Sequence, residues 1–151
     1  MKRVLKLISW LLLLLFLVAI AFIMINWVPD RPVEELKGRW AQSPSQFIDV
    51  AGMSIHIRDE GLRDDSIPIV LLHGTSASLH TWDGWVEALK DERRIIRFDM
   101  PGFGLTGPSP DNNYTIEYYA ATVIAVLDYL NVDRVILAGN SLGGNVAWNT
   151  A

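Results

Sequence analysis

The stretch Leu137-Ala138-Gly139-Asn140-Ser141-Leu142-Gly143-Gly144 sets a serine between two glycines, directly after the short apolar run Val135–Ala138. A serine on a sharp strand-to-helix turn can act as a nucleophile, because the turn exposes its Oγ while the backbone takes up strained angles. The residues two before and two after must then be small, since they pack against the following helix, and Gly139 and Gly143 satisfy that. The turn also brings the Leu142 N–H to the start of a helix, where it can stabilise a developing oxyanion. The chemistry implied is acyl transfer through a covalent intermediate, with Ser141 as nucleophile. Five residues of this pattern arise by chance in many chains, so its context carries the weight.

Upstream, His73-Gly74-Thr75 follows the continuously apolar run Ile69-Val70-Leu71-Leu72. An enzyme built around such a serine draws its second oxyanion donor from the loop after an earlier strand. The Thr75 N–H is the candidate, with Gly74 letting the backbone approach. His73 invites a role as general base. Triad order in this architecture places the base after the serine, so His73 is read instead as a hydrogen-bonded residue that shapes the loop. His80 is placed in the following loop or helix start, exposed or facing substrate. His56 alternates with Ile55 and Ile57 along a strand and is expected on its exposed face. Trp82 and Phe103 are candidates either for the border of a pocket or for packing.

A second glycine pattern, Gly102-Phe103-Gly104-Leu105-Thr106-Gly107, matches a dinucleotide fingerprint. That fingerprint must open a helix whose N-terminus holds the pyrophosphate. Pro108-Ser109-Pro110 follows at once and forbids one, so no dinucleotide site is expected. Asn113-Tyr114-Thr115 is a formal glycosylation sequon that matters only in a secretory pathway.

These residues need a scaffold. Phe47–Val50 and Ile55–Arg58 flank Ala51-Gly52-Met53 and predict a hairpin. Ile69–Leu72, Arg94–Phe98 and Val135–Ala138 predict strands, the first and last buried on both faces as in a parallel sheet. Thr81–Lys90 carries Trp82, Trp85, Val86 and Leu89 at helical spacing. A second helix starts at Thr115, with Glu117 in its first turn and Ile116, Tyr119, Ala120, Val123, Leu127 and Leu130 as its apolar stripe, and Asn131 stops it. A third begins just after Ser141. Alternating strands and helices indicate an α/β fold.

The N-terminus is of another kind. From Leu7 to Ile25 every residue but Ser9 is apolar, long enough to cross a hydrocarbon layer. Lys2, Arg3 and Lys6 precede it, and Trp10 and Trp27 lie where interfacial aromatics are favoured. The expected organisation is a basic cytoplasmic tail at 1–6, a transmembrane anchor at 7–28, a juxtamembrane linker at 29–45 and a globular domain at 46–151, on the far side of the membrane by the positive-inside bias. The competing reading is a signal peptide cut near Ala21, which would release a secreted or periplasmic domain. Against it, Phe22–Ile25 would leave an apolar new terminus.

Of 13 basic residues three sit in the tail, leaving 10 against 17 acidic ones, a net charge of −7 over the rest. A domain that acidic has no electrostatic affinity for nucleic acid. With no cysteine, disulfides and thiolate metal sites are excluded.

Taken in order, "IVLLHGTSASLHTW", "IIRFDMPGFGLTG" and "VILAGNSLGGN" resemble the first half of an α/β-hydrolase fold protein, over about residues 46–151. The resemblance implies Ser141 as nucleophile, Thr75 and Leu142 as backbone oxyanion donors, and Asp99 as a residue that shapes its loop and is not the catalytic acid. It implies a small ester-like substrate and neither metal nor organic cofactor. Serine at 141 disfavours dehalogenases and epoxide hydrolases, which use an aspartate nucleophile. Esterases, lipases, carbon–carbon bond hydrolases and cofactor-free haloperoxidases remain. In that family the triad acid and histidine follow the serine on later strands. The expectation is therefore a fragment: a mostly parallel sheet with flanking helices, truncated after the nucleophile strand, preceded by one transmembrane helix, and inactive as it stands. The alternative is a non-catalytic hydrolase-like protein that binds or anchors.

Overall fold

A computed structural model describes residues 2–151, which divide into two compact units, one ending at Arg31 and one spanning Pro32–Ala151. The first is dominated by helix α1 (Lys2–Asn26), whose residues are all exposed. It is long and apolar enough to cross a membrane. Two polar side chains bond within the helix: Ser9 Oγ donates to the Leu5 carbonyl (2.9 Å) and Nδ2 of the terminal Asn26 to that of Phe22 (2.8 Å). That is how polar groups are tolerated on an apolar helix.

The second unit opens inside the stretch read as a linker. There Pro32 precedes helix α2 (Val33–Trp40), which has Glu34 and Glu35 in its first turn and Lys37 and Arg39 in its last. This charge order complements the helix dipole. Strands β1 (Gln46–Val50) and β2 (Met53–Gly61) form the expected hairpin, with Val50 opposite Met53. The two-residue connection has φ of 51° at Ala51 and 75° at Gly52, the doubly left-handed turn that matches strand twist.

Strand β3 (Ile69–Leu72) leads through a 3₁₀ turn (Leu79–Trp82) into α3 (Asp83–Leu89), so the predicted helix over 81–90 is entered by a tighter turn. Then follow β4 (Arg94–Phe98), α4 (Ile116–Tyr129), β5 (Ile136–Gly139) and α5 (Leu142–Thr150). The sheet order is β1-β2-β4-β3-β5: β1, β2 and β4 pair antiparallel, while β4, β3 and β5 run parallel. One face packs Ile48, Ile55, Ile57, Val70, Leu72, Ile96 and Phe98 against Val123 and Val126 of α4 and Val146 of α5. The other packs Leu71 and Ile95 against Trp82 and Val86. Helices thus cover both faces of an α/β sheet.

Helix α4 shows how its termini were encoded. Thr115 Oγ1 accepts the Tyr118 N–H (3.3 Å) as N-cap. At the other end Asn131 takes φ 53°, the Asn131 N–H bonds the Asp128 carbonyl and the Val132 N–H that of Leu127, the paired bonds of a Schellman ending. Thr115→Ala is expected to cost about 1 kcal/mol, read as a lowered urea midpoint at unchanged slope.

Two expectations fail here. β5 is the outermost strand, as expected of a sheet that stops at its nucleophile strand, but it is not buried on both faces, and Ile136 remains 47% exposed. An apolar run reports a strand's composition, not how fully its faces are covered. His56 is not exposed either; it is completely buried. β2 has a neighbour on each edge, and its polar face is covered by a hydrogen-bonded network rather than by water.

Candidate active site

Ser141 stands between β5 and α5 with φ 53° and ψ −116°, and it is exposed. Such a backbone is strained for a non-glycine residue and persists only when its surroundings impose it. The surroundings are two glycines. A Cβ on Gly139 would lie 2.2 Å from the Gly143 carbonyl carbon, and one on Gly143 would lie 2.1 Å from the Leu72 carbonyl oxygen. Only glycine lets the head of α5 sit against the ends of β5 and β3. The Asn140 N–H bonds the Leu72 carbonyl (3.1 Å), and the Gly143 N–H bonds that of Asn140 (2.9 Å).

The same packing brings the Gly74 loop to the serine: a Cβ on Gly74 would meet Ser141 Cβ and the Asn140 carbonyl oxygen at 3.3 Å. Thr75, next in the chain, is exposed. Among the described residues neither the Thr75 N–H nor the Leu142 N–H has a hydrogen-bond acceptor, and no side chain bonds Ser141 Oγ. Ser141, Gly74-Thr75 and Leu142 are thus brought to one place by elements far apart in sequence.

His73 is buried behind this loop with both ring nitrogens engaged. Met100 N–H, which can only donate, points at Nε2 (3.0 Å), so the proton is on Nδ1, which donates to the Gly74 carbonyl (2.8 Å). Burial pushes its pKa down. A neutral histidine with no free nitrogen is a brace for the Gly74 loop, not a base.

Asp99 is the hub of the neighbouring loops. Its Oδ1 accepts the Leu79 N–H (2.7 Å), and its Oδ2 accepts the Leu105 N–H (2.8 Å) and faces His56 Nδ1 (2.7 Å). Burial pushes this carboxyl up, but His56 and the Leu105 and Leu79 amides outweigh it and hold it below the usual range. The glycine pattern at 102–107 serves this carboxylate. Gly104, at φ 53°, leaves no room for a Cβ, which would fall 2.1 Å from Asp99 Oδ2, and Thr106 Oγ1 donates to the Asp99 carbonyl (2.6 Å).

Of the remaining candidates, Trp82 and Phe103 are packing residues, while His80 is half-exposed beside Asp99 and Leu105. His80 Nε2 donates to the Trp40 carbonyl (3.0 Å), tying α2 down. Trp82 is buried against Leu71 and Val86, and Phe103 packs edge-on to His73. Sequence reasoning missed the Ser45–His56–Asp99 contacts, in which Ser45 Oγ lies 2.8 Å from His56 Nε2. The signal was present as polar residues alternating along β2, but periodicity alone assigned them to solvent. No three His, Asp or Glu side chains among the described residues converge as a metal site.

Compared with known proteins, residues 67–151, more than half of the chain, match the alpha/beta hydrolase fold family. The chain belongs to the α/β-hydrolase fold family. It is 36% identical over 96 residues to a 2-hydroxy-6-oxo-2,4-heptadienoate hydrolase of Pseudomonas putida, covering 62% of this chain and 34% of that protein. Among solved structures, a meta-cleavage product hydrolase of Pseudomonas fluorescens superposes with a TM-score of 0.64 at 29% identity, over 70% of this chain and 39% of the other. The epoxide hydrolase VrEH1 of Vigna radiata gives 0.63 at 26%, over 70% and 33%. This α/β-hydrolase fold chain thus spans about a third of the length of the relatives it matches. Its matched region takes in the Gly74 loop, Asp99 and Ser141 together.

Proposed function

We propose that this chain carries the nucleophile half of a membrane-anchored serine hydrolase. The observation that carries the reading is Ser141 itself: an exposed serine at φ 53° on a turn that two glycines force against β3 and β5. Strain of that kind, at a polar exposed residue, is what a presented nucleophile requires. Ser141 Oγ attacks an acyl carbonyl, and the Thr75 and Leu142 N–H groups, free of other acceptors, receive the oxyanion. The substrate class is an ester, or a carbon–carbon bond beside a carbonyl in a hydroxy-oxo-dienoate of the kind named for the Pseudomonas putida relative. The apolar helix α1 anchors the enzyme in the membrane, with Lys2, Arg3 and Lys6 on the cytoplasmic side and the hydrolase unit on the other.

The proton acceptor comes from outside these 151 residues. All three histidines are engaged elsewhere: His56 with Ser45 and Asp99, His73 with Gly74 and Met100, His80 with Trp40. The same observation favours the second reading, a non-catalytic protein that binds through the hydrolase scaffold. The longest protein containing this chain separates the two. With an acid and a histidine supplied, a fluorophosphonate probe labels Ser141, and Ser141→Ala removes that site-mapped adduct. An unlabelled Ser141 in such a protein leaves the binding reading. The 151-residue chain alone is expected to give no steady-state turnover of p-nitrophenyl acetate; sustained turnover lost on Ser141→Ala would place the base within it.

A further inference from the structure

We propose that Ser45 is a second nucleophilic serine of this chain, activated by His56 and Asp99 and reactive toward activated acyl or phosphyl donors. The geometry is a relay. Ser45 Oγ lies 2.8 Å from His56 Nε2, and His56 Nδ1 lies 2.7 Å from Asp99 Oδ2. Asp99 already accepts two backbone N–H groups and has no proton of its own to offer, so the proton between it and His56 belongs to Nδ1. That tautomer leaves Nε2 as an acceptor aimed at the Ser45 hydroxyl. Serine O–H to Nε2, and Nδ1–H to a buried carboxylate, is the polarity by which an imidazole takes a serine proton.

Three further contacts suit the relay. Arg58 Nε donates to Ser45 Oγ (2.9 Å), and a guanidinium beside an oxygen favours its alkoxide over its alcohol. The His56 ring is completely buried and stacked on Phe47 at 5.1 Å, so its orientation is set by packing. Ser45 itself is only half-buried, at the entrance to β1, where an electrophile can reach it. Backbone bonds hold both ends: the Asp99 N–H to the His56 carbonyl (2.9 Å), and the His56 N–H to Thr106 Oγ1 (3.1 Å).

With a fluorophosphonate the step balances simply. The Ser45 Oγ–P bond forms, the P–F bond breaks, fluoride leaves, and the hydroxyl proton passes to His56 Nε2 and then to solvent. This inference does not rest on the role given to Ser141, and its test is run in the Ser141→Ala background so that the two fail separately.

The full chain in detergent micelles is treated with an alkyl fluorophosphonate, and the tryptic peptide from Trp40 to Arg58 is mapped by tandem mass spectrometry. That peptide contains Ser43 and Ser54, both more exposed than Ser45. Accessibility alone predicts labelling at Ser43 and Ser54; the relay predicts labelling at Ser45, faster by about 10-fold or more. His56→Gln, which keeps a donor and an acceptor on the ring's position but is no base, should lower the Ser45 rate by about 10-fold or more at unchanged far-UV dichroism. Equal rates at the three serines, no adduct on Ser45, or a folded His56→Gln chain that labels at the parent rate overturns the proposal. Should His56→Gln not fold, the ordering of the three serines in the parent decides.

Discussion

Gly143→Ala is expected to destabilise the hydrolase unit by about 3 kcal/mol or more. The reason is local and steric. The added Cβ would sit 2.1 Å from the Leu72 carbonyl oxygen and 2.6 Å from that of His73. Both are main-chain atoms at the end of a central strand, paired with β4 on one side and β5 on the other. No side-chain rotation relieves such a contact; α5 must lift away from β3, taking the packing of Val146 and Ala147 with it. Gly84→Ala is the matched control. It lies in α3 with nothing within 4 Å of a built Cβ, so alanine's better helix propensity should raise stability by up to about 1 kcal/mol. Urea unfolding of the two variants in detergent, followed by tryptophan fluorescence, should therefore move in opposite directions from the parent. A Gly143→Ala midpoint within error of the parent would mean that α5 does not pack on β3 as described.

This contrast also explains how much of the site was legible in the sequence. Glycines at 139 and 143 declared a close approach before any partner was known, because only a backbone-to-backbone contact needs them on both sides of a serine. The cap at Thr115 and the left-handed stop at Asn131 were readable for the same reason: their chemistry is local. What could not be read was what covers each face of the sheet. The edge position of Val135–Ala138 was expected, but its composition is that of a buried strand and did not reveal that Ile136 stays half-exposed. His56 failed likewise. Its alternation with Ile55 and Ile57 is real, but the polar face of β2 meets Asp99 from β4's end and Ser45 from before β1, and becomes a hydrogen-bonded network.

Asp99→Ala shows what that network is worth. The carboxylate accepts from Leu79, Leu105 and His56, three donors on three separate segments, and is completely buried. Removing it takes the acceptor from two backbone N–H groups and one imidazole N–H, each costing about 1–3 kcal/mol when left unpaired. Together these unpaired donors make a loss of about 3 kcal/mol or more the expected result at neutral pH. The pH dependence follows from the sign of the shift. Asp99 has a folded-state pKa held below the ordinary carboxylate value of about 3.9. Its ionisation therefore contributes stability that is complete above the unfolded value and is lost as pH falls through the folded one. The parent and Asp99→Ala should differ most from about pH 5 upward, with the gap narrowing below about pH 4. Asp99→Asn should fall between them, because its amide oxygen still accepts one N–H while its NH₂ faces donors it cannot satisfy. The measurement is a set of urea midpoints from pH 3 to pH 7. A gap between parent and Asp99→Ala that stays constant across this range would show that the carboxylate is not held ionised by these donors. Since Leu79 follows the His73–Gly74 loop in the chain and Leu105 follows Met100, whose N–H holds His73 Nε2, loosening them should also free the Gly74 loop beside Ser141.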